Sequence, residues 1–126
     1  MTVLITGASG RTSGYVIKAL LASPNPPDLR LFVLSDAAAQ KVTAAHPGLG
    51  PANFVRGDLL DASTIPPAVA GVDVVFHNAP SFIPNEAGMG IALIDAAKAA
   101  GVKHFVYCSV LHPILTKLVN HKVKRE

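Results

Sequence analysis

Short apolar runs alternate along this chain with segments whose apolar residues recur at helical spacing. Thr2 to Thr6 is the first compact run, with Val3, Leu4 and Ile5 at its centre. A glycine-rich turn, Gly7-Ala8-Ser9-Gly10, follows at once. Beyond it Val16, Ile17, Leu20 and Leu21 fall on one face of a helix predicted from about Arg11 to Ala22. Ser23-Pro24-Asn25-Pro26-Pro27 ends that helix, because proline has no N–H to donate and clashes with the preceding turn. The same reading predicts a second strand at Leu29 to Ser35, a second helix at Ala37 to Ala45, and a loop from His46 to Pro51. A brief third strand follows at Asn53 to Arg56. A third helix is expected over Ser63 to Ala70, with Ser63 as N-cap, Gly71 just past its end, and Pro66 and Pro67 shortening it. Asp73 to His77 is nearly all apolar, as befits a strand buried on both faces. Glu86 to Ala100 is a helix closed by Gly101, and His104 to Ser109 a fifth strand. A last helical pattern opens after Pro113, with Ile114, Leu115, Leu118 and Val119 on one side.

Strands alternating with helices imply right-handed crossovers and a parallel sheet. The expected fold is therefore α/β: a Rossmann-like doubly wound sheet of about five strands, the first one central, in the order 3-2-1-4-5. With 126 residues, one domain covering 1–126 is expected. The final helical pattern runs out at Lys124-Arg125-Glu126 without a glycine, a cap or a following strand. The chain is accordingly read as the N-terminal, truncated portion of a domain roughly twice as long. A complete five-stranded domain is the alternative.

Composition trims the choices. Half of the residues are hydrophobic and 15% are charged, enough for an aliphatic core without tryptophan. One cysteine, Cys108, excludes an internal disulfide framework and suits a reducing compartment. No signal peptide is visible and no apolar run is long enough to cross a bilayer, so the expected location is cytoplasmic. The net charge is +3, but much of the excess lies in Lys117, Lys122, Lys124 and Arg125 with no aromatic residues between them. That pattern fits a solvated helix end better than a nucleic-acid surface.

The chemistry concentrates where strands end. Strand, glycine turn and helix make an arrangement that holds a pyrophosphate: glycine lets the backbone approach, and the helix N-terminus presents unpaired N–H groups with partial positive charge. Gly7, Ser9, Gly10, Arg11, Thr12 and Ser13 are the candidates there. At the end of the second strand stand Ser35 and Asp36. An acidic side chain on the ribose 2′-hydroxyl selects NAD, whereas an arginine accepts the 2′-phosphate of NADP. If Asp36 makes that contact NAD is preferred; if Ser35 does, NADP stays open with Arg11 assisting. The balance leans slightly to NADP. In a parallel sheet the carboxyl ends of the strands line the ligand crevice, which puts Asn78, Ala79 and Pro80 along the ribose and nicotinamide. His77 reads as a core histidine rather than a catalyst.

The run Thr6-Gly7-Ala8-Ser9-Gly10-Arg11-Thr12-Ser13-Gly14 resembles the T-G-x-x-G-x-x-G turn of extended and atypical short-chain dehydrogenases/reductases, with Ser13 in place of the third glycine. Together with Gly57-Asp58-Leu59, Asp95 to Val106 and Ser109-Val110-Leu111-His112-Pro113, it resembles the NmrA-like family of atypical members across nearly the whole chain. The resemblance implies that Asp58 and Leu59 contact adenine and that Ser109 occupies the position of the family's active-site serine. It also implies, through His121-x-x-Lys124, that Lys124 serves in proton transfer, a basic helix end being the competing account. The Tyr-x-x-x-Lys pair of ordinary short-chain enzymes is absent: Tyr15 has Ala19 four residues on, and Tyr107 has Leu111. The family holds both reductases of small molecules or quinones and non-enzymatic regulators that sense NAD(P) and bind a protein. Two functions are thus expected: a domain for NAD(P)H-dependent reduction of a small molecule, or an NAD(P) sensor with a protein partner. A piece without a complete active site is a third reading.

Overall fold

The computed structural model describes residues 1–78 and 86–107, and the side chains of 86 and 87 lie outside that description. Five strands form one parallel sheet: β1 (Thr2–Ile5), β2 (Asp28–Val33), β3 (Phe54–Arg56), β4 (Val74–His77) and β5 (His104–Tyr107). Their order is β3-β2-β1-β4-β5, as the alternating pattern predicts. The helices are α1 (Arg11–Leu21), α2 (Asp36–Ala45), α3 (Ile65–Val69) and α4 (Glu86–Ala100). Val3 lies beside Leu29 on one flank and Val74 on the other, so β1 is central.

The period of two along each strand divides the core into two layers. Val3 and Ile5 of β1 join Leu29, Leu31 and Val33 of β2 against Ile17 of α1 and Val42 of α2. Leu4 and Phe32, on the opposite face, join Val75 against Ile65, Ala68 and Val69 of α3 and Leu93 and Ala97 of α4. Burial on both faces leaves little room for a charge, which is why β1 and β4 read as almost unbroken apolar runs.

Several boundaries depart from expectation. β2 ends at Val33, and Ser35 is the N-cap of α2, accepting the Ala38 N–H at 3.2 Å. Helix α2 therefore begins at Asp36, not Ala37. The expected helix over Ser63–Ala70 is a single 3₁₀ turn, Ala62–Thr64, followed by the five residues of α3. Asp61, not Ser63, caps that turn: its carboxylate accepts from the Ser63 N–H at 3.1 Å and hydroxyl at 2.7 Å. Pro66 and Pro67 supply no N–H, so a long α-helix cannot be closed across them. Gly71 follows α3 at φ +73° and Gly101 follows α4 at φ +79°, both in the left-handed conformation expected past a helix end. The expected extension of β5 to Ser109 and the helix after Pro113 lie outside the described residues.

Candidate functional site

The carboxyl ends of the parallel strands open onto one crevice, and β1 runs straight into the turn that forms its floor. Gly7 has φ +60°, and a Cβ added there would overlap the Asn78 carbonyl oxygen. Only glycine meets both demands. The Gly10 N–H closes the turn on the Gly7 carbonyl at 2.9 Å, and a Cβ on Gly10 would stand 3.1 Å from the same oxygen. Gly10 then caps α1 without a side chain, in extended backbone. Ser9, Arg11 and Thr12 are exposed around this helix start, whose first amides have no intrahelical acceptors. Gly14 is different, because a Cβ there would meet nothing within 4 Å.

Ser13, in the third glycine position, is fully buried. Its hydroxyl donates to the Thr6 carbonyl at 3.2 Å and accepts from Asn78 Nδ2 at 3.1 Å. Thr6 is equally buried; its Oγ1 accepts the Asn78 N–H at 2.9 Å and lies 2.7 Å from His77 Nδ1. Thr6, Ser13, His77 and Asn78 thus form one hydrogen-bonded unit joining the ends of β1 and β4 to the first turn of α1. His77 is the core histidine expected, fully buried, with its ring 5.4 Å from that of Tyr107 and 6.2 Å from that of Phe105. The sequence gives no sign that Thr6 is the junction of this unit, since it stands there only as the residue before a glycine.

On the other side of the turn lies a cavity of about 330 Å³. Phe32, Val33 and Leu34 from the end of β2, Ala38 from α2, and Asp58 and Leu59 after β3 line it, together with the backbone of the turn at Gly7 and Ser9. Gly57 makes this wall possible: a Cβ there would come within 2.6 Å of the Phe32 ring and 3.1 Å of Thr64 Oγ1. The loop after it is pinned by Thr64, whose Oγ1 accepts the Asp58 N–H at 3.0 Å and lies 2.9 Å from the Asp58 carbonyl. Asp58 Oδ1 accepts the Leu60 N–H at 2.9 Å, an Asx turn that orients the carboxylate. Asp36 stands at the rim, exposed, within 3.3 Å of Arg56 Nη1 from the end of β3. No sequence motif marks Arg56, which is the last residue of the strand that pairs with β2.

The structure therefore gathers Gly7, Ser9, Gly10, Arg11 and Thr12 at the turn, Ser13 and Asn78 in the network beneath it, and Asp58 and Leu59 in the cavity wall, with Ser35 and Asp36 between the lining residues Leu34 and Ala38. Ala79, Pro80, Ser109 and Lys124 lie outside the described residues. No helix among those described is long and apolar enough to cross a membrane, and no cluster of potential metal ligands occurs among them.

Comparison with known proteins gives this geometry its setting. The chain is 38% identical over 104 residues to NAD(P)H azoreductase from Xenophilus azovorans, a match spanning 82% of this chain and 34% of the azoreductase. It superposes on the NADPH complex of the NADPH-dependent quinone oxidoreductase QOR2 from Escherichia coli with a TM-score of 0.81 and 29% identity, covering 98% of this chain and 42% of that one. Nmra, a negative transcriptional regulator, aligns with a TM-score of 0.70 and 26% identity, over 90% of this chain and 35% of the regulator. The chain thus spans well under half the length of these relatives. The family model for the NmrA-like family matches residues 1–122, and the chain belongs to that family.

Proposed function

We propose that this chain is the NAD(P)-binding domain of an NmrA-like reductase, and that the complete protein reduces a small molecule with NAD(P)H. The observation that carries the reading is the cradle at Gly7 and Gly10. The Asn78 carbonyl leaves no room for a Cβ at Gly7 and the Gly7 carbonyl crowds one at Gly10, so the turn stays tight and leads directly into α1, whose first amides are open to a pyrophosphate. The cavity beside the cradle has the size and apolar character of a small-molecule site, for which ~300–1,000 Å³ is usual. It would hold the adenosine, with Asp58 and Leu59 against the adenine and Asp36 or Ser35 near the ribose.

Within that reading the residues divide by role. Ser9, Arg11 and Thr12 offer exposed polar groups to the phosphates. Ser13 is buried and acts by holding the turn to Asn78. The reading assigns Asn78, Ala79 and Pro80 to the ribose and nicotinamide, Ser109 to the family's active-site serine position, and Lys124 to proton transfer. The dinucleotide would supply the hydride when bound, and the residues of this chain would fix its position. NADP is the preferred form, with Arg11 as one cation for the extra phosphate. The azoreductase and quinone reductase relatives point to quinones and azo compounds as substrate classes, and the cytoplasm is the proposed location. Calorimetric titration with NADPH and NADH tests the binding step, with micromolar affinity expected. Failure to bind both dinucleotides overturns it. Oxidation of NADPH by quinones or azo compounds, followed with the complete protein, tests the activity.

The missing Tyr-x-x-x-Lys pair favours a second reading, an NAD(P) sensor that grips a protein partner, and Nmra supplies a regulator with this fold. A partner whose affinity changes on adding dinucleotide would support it, and equal affinity with and without dinucleotide would exclude it.

A further inference from the structure

The Asp36–Arg56 pair forms beside the cavity lining, Asp36 between the lining residues Leu34 and Ala38 and Arg56 next to Gly57, for a definite structural reason. Val33 and Arg56 are register partners on β2 and β3, and the Gly57 N–H bonds the Val33 carbonyl at 3.0 Å. The two strand ends are thereby locked side by side, which brings the first residue of α2 against the last residue of β3. Arg56 Nη1 lies 3.3 Å from one Asp36 carboxylate oxygen and 3.4 Å from the other, and both side chains are mostly exposed, at 61% and 76%. Ser35, the other candidate at this rim, has its hydroxyl oxygen engaged in capping α2 through the Ala38 N–H.

The geometry points to Arg56 as the residue that selects NADP(H), with Asp36 as the opposing element that admits NAD(H). The inference rests on the reading of the crevice as the dinucleotide site. An aspartate standing alone here would accept the ribose hydroxyls of NAD and repel a 2′-phosphate. Beside Arg56 its charge is neutralised. Both contacts to Asp36 come from one guanidinium nitrogen, so the remainder of the planar fork is available to a second anion. An exposed pair of this kind costs little to open, so Arg56 turns from carboxylate to phosphate without disturbing the core. Asp36 in turn accepts ribose hydroxyls when no phosphate is present. One rim thus accommodates both dinucleotides, and the arginine favours the phosphorylated one.

The test is calorimetric titration of the full chain and two variants with NADPH and with NADH, the fold of each being verified by circular dichroism. Arg56→Ala is expected to weaken NADPH binding by about tenfold or more, the loss of a charge-assisted contact, and NADH binding by less than about threefold. Asp36→Asn is expected to weaken NADH and to strengthen NADPH, because Arg56 is released. Equal losses for both dinucleotides in Arg56→Ala, or an unchanged NADPH-to-NADH ratio in both variants, would overturn the assignment while leaving the cofactor site intact. An unsubstituted chain that binds neither dinucleotide would overturn the cofactor reading itself, and this assignment with it.

Discussion

On the β1–β4 side of the crevice the polar groups are buried and joined to one another, whereas on the β2–β3 side the wall is mainly apolar, with Asp58 its one charged lining residue, and the Asp36–Arg56 pair is exposed. Thr6, Ser13 and His77 are all fully buried, and Thr6 Oγ1, just past β1, is hydrogen-bonded to His77 and Asn78 at the end of β4. Asp36 and Arg56 are mostly exposed and touch only at the rim. A buried polar group pays the full desolvation penalty when its partner is removed, whereas an exposed ion pair contributes ~0–1 kcal/mol. The first side therefore sets the shape of the turn and tolerates little change. The second tunes which ligand is preferred and is free to vary.

That contrast is open to attack at single residues. Gly7→Ala carries the largest expected effect: the new Cβ collides with the Asn78 backbone and the residue is strained at φ +60°. Loss of about 3 kcal/mol or more in denaturant unfolding is expected, together with loss of dinucleotide binding. Thr6→Val keeps the shape and removes the oxygen that serves Asn78 N–H and His77 Nδ1. It should lower stability by on the order of 2–3 kcal/mol, measured by the same method, since two groups lose one partner. Ser13→Ala strips one acceptor from Asn78 Nδ2 and should cost about 1 kcal/mol, with a weaker dinucleotide affinity as the turn loosens. An effect no larger than that of an exposed substitution would show that the network is not what holds the turn.

Gly14→Ala lies at the far end of the series. A Cβ at this helical position meets nothing within 4 Å, so the substitution should stabilise the protein by about 0.5–1 kcal/mol, seen as a raised Tm. Glycines seven residues apart in one motif would then have opposite signs. A destabilising Gly14→Ala would mean that the helix face there is covered by something not in contact with it among the described residues.

Sequence pattern carries the β1–β4 side only in part. The turn is legible because a glycine requirement leaves glycines in the chain, and Gly7 and Gly10 stand where the backbone needs them. Ser13 reads as a departure from a glycine motif, yet it is a built component whose hydroxyl bonds the Thr6 carbonyl and also Asn78, sixty-five residues further along the chain. No local pattern announces such a bond. The third helix misleads for a related reason: Ser63 has the right chemistry for a cap, but Asp61 is placed two residues earlier to do the work, and the prolines forbid the longer helix. Arg30 shows the same gap, since its Nη1 reaches the carbonyls of Ala68 and Ala70 at 2.8 and 2.6 Å from a strand distant in sequence.

The alternation of strands and helices, the order of the sheet, the glycine turn and most of the polar strand ends are legible in the amino-acid pattern alone. Those features follow from local propensity, hydrophobic period and the handedness of crossovers, each of which acts over a few residues or one connection. Only the tertiary structure decided which polar residues meet. Pairing β2 with β3 set Arg56 against Asp36, and packing α1 across β1 and β4 buried Ser13 between Thr6 and Asn78. Contacts between residues far apart in the chain depend on register and packing, and a side chain's partner is fixed only once both are in place.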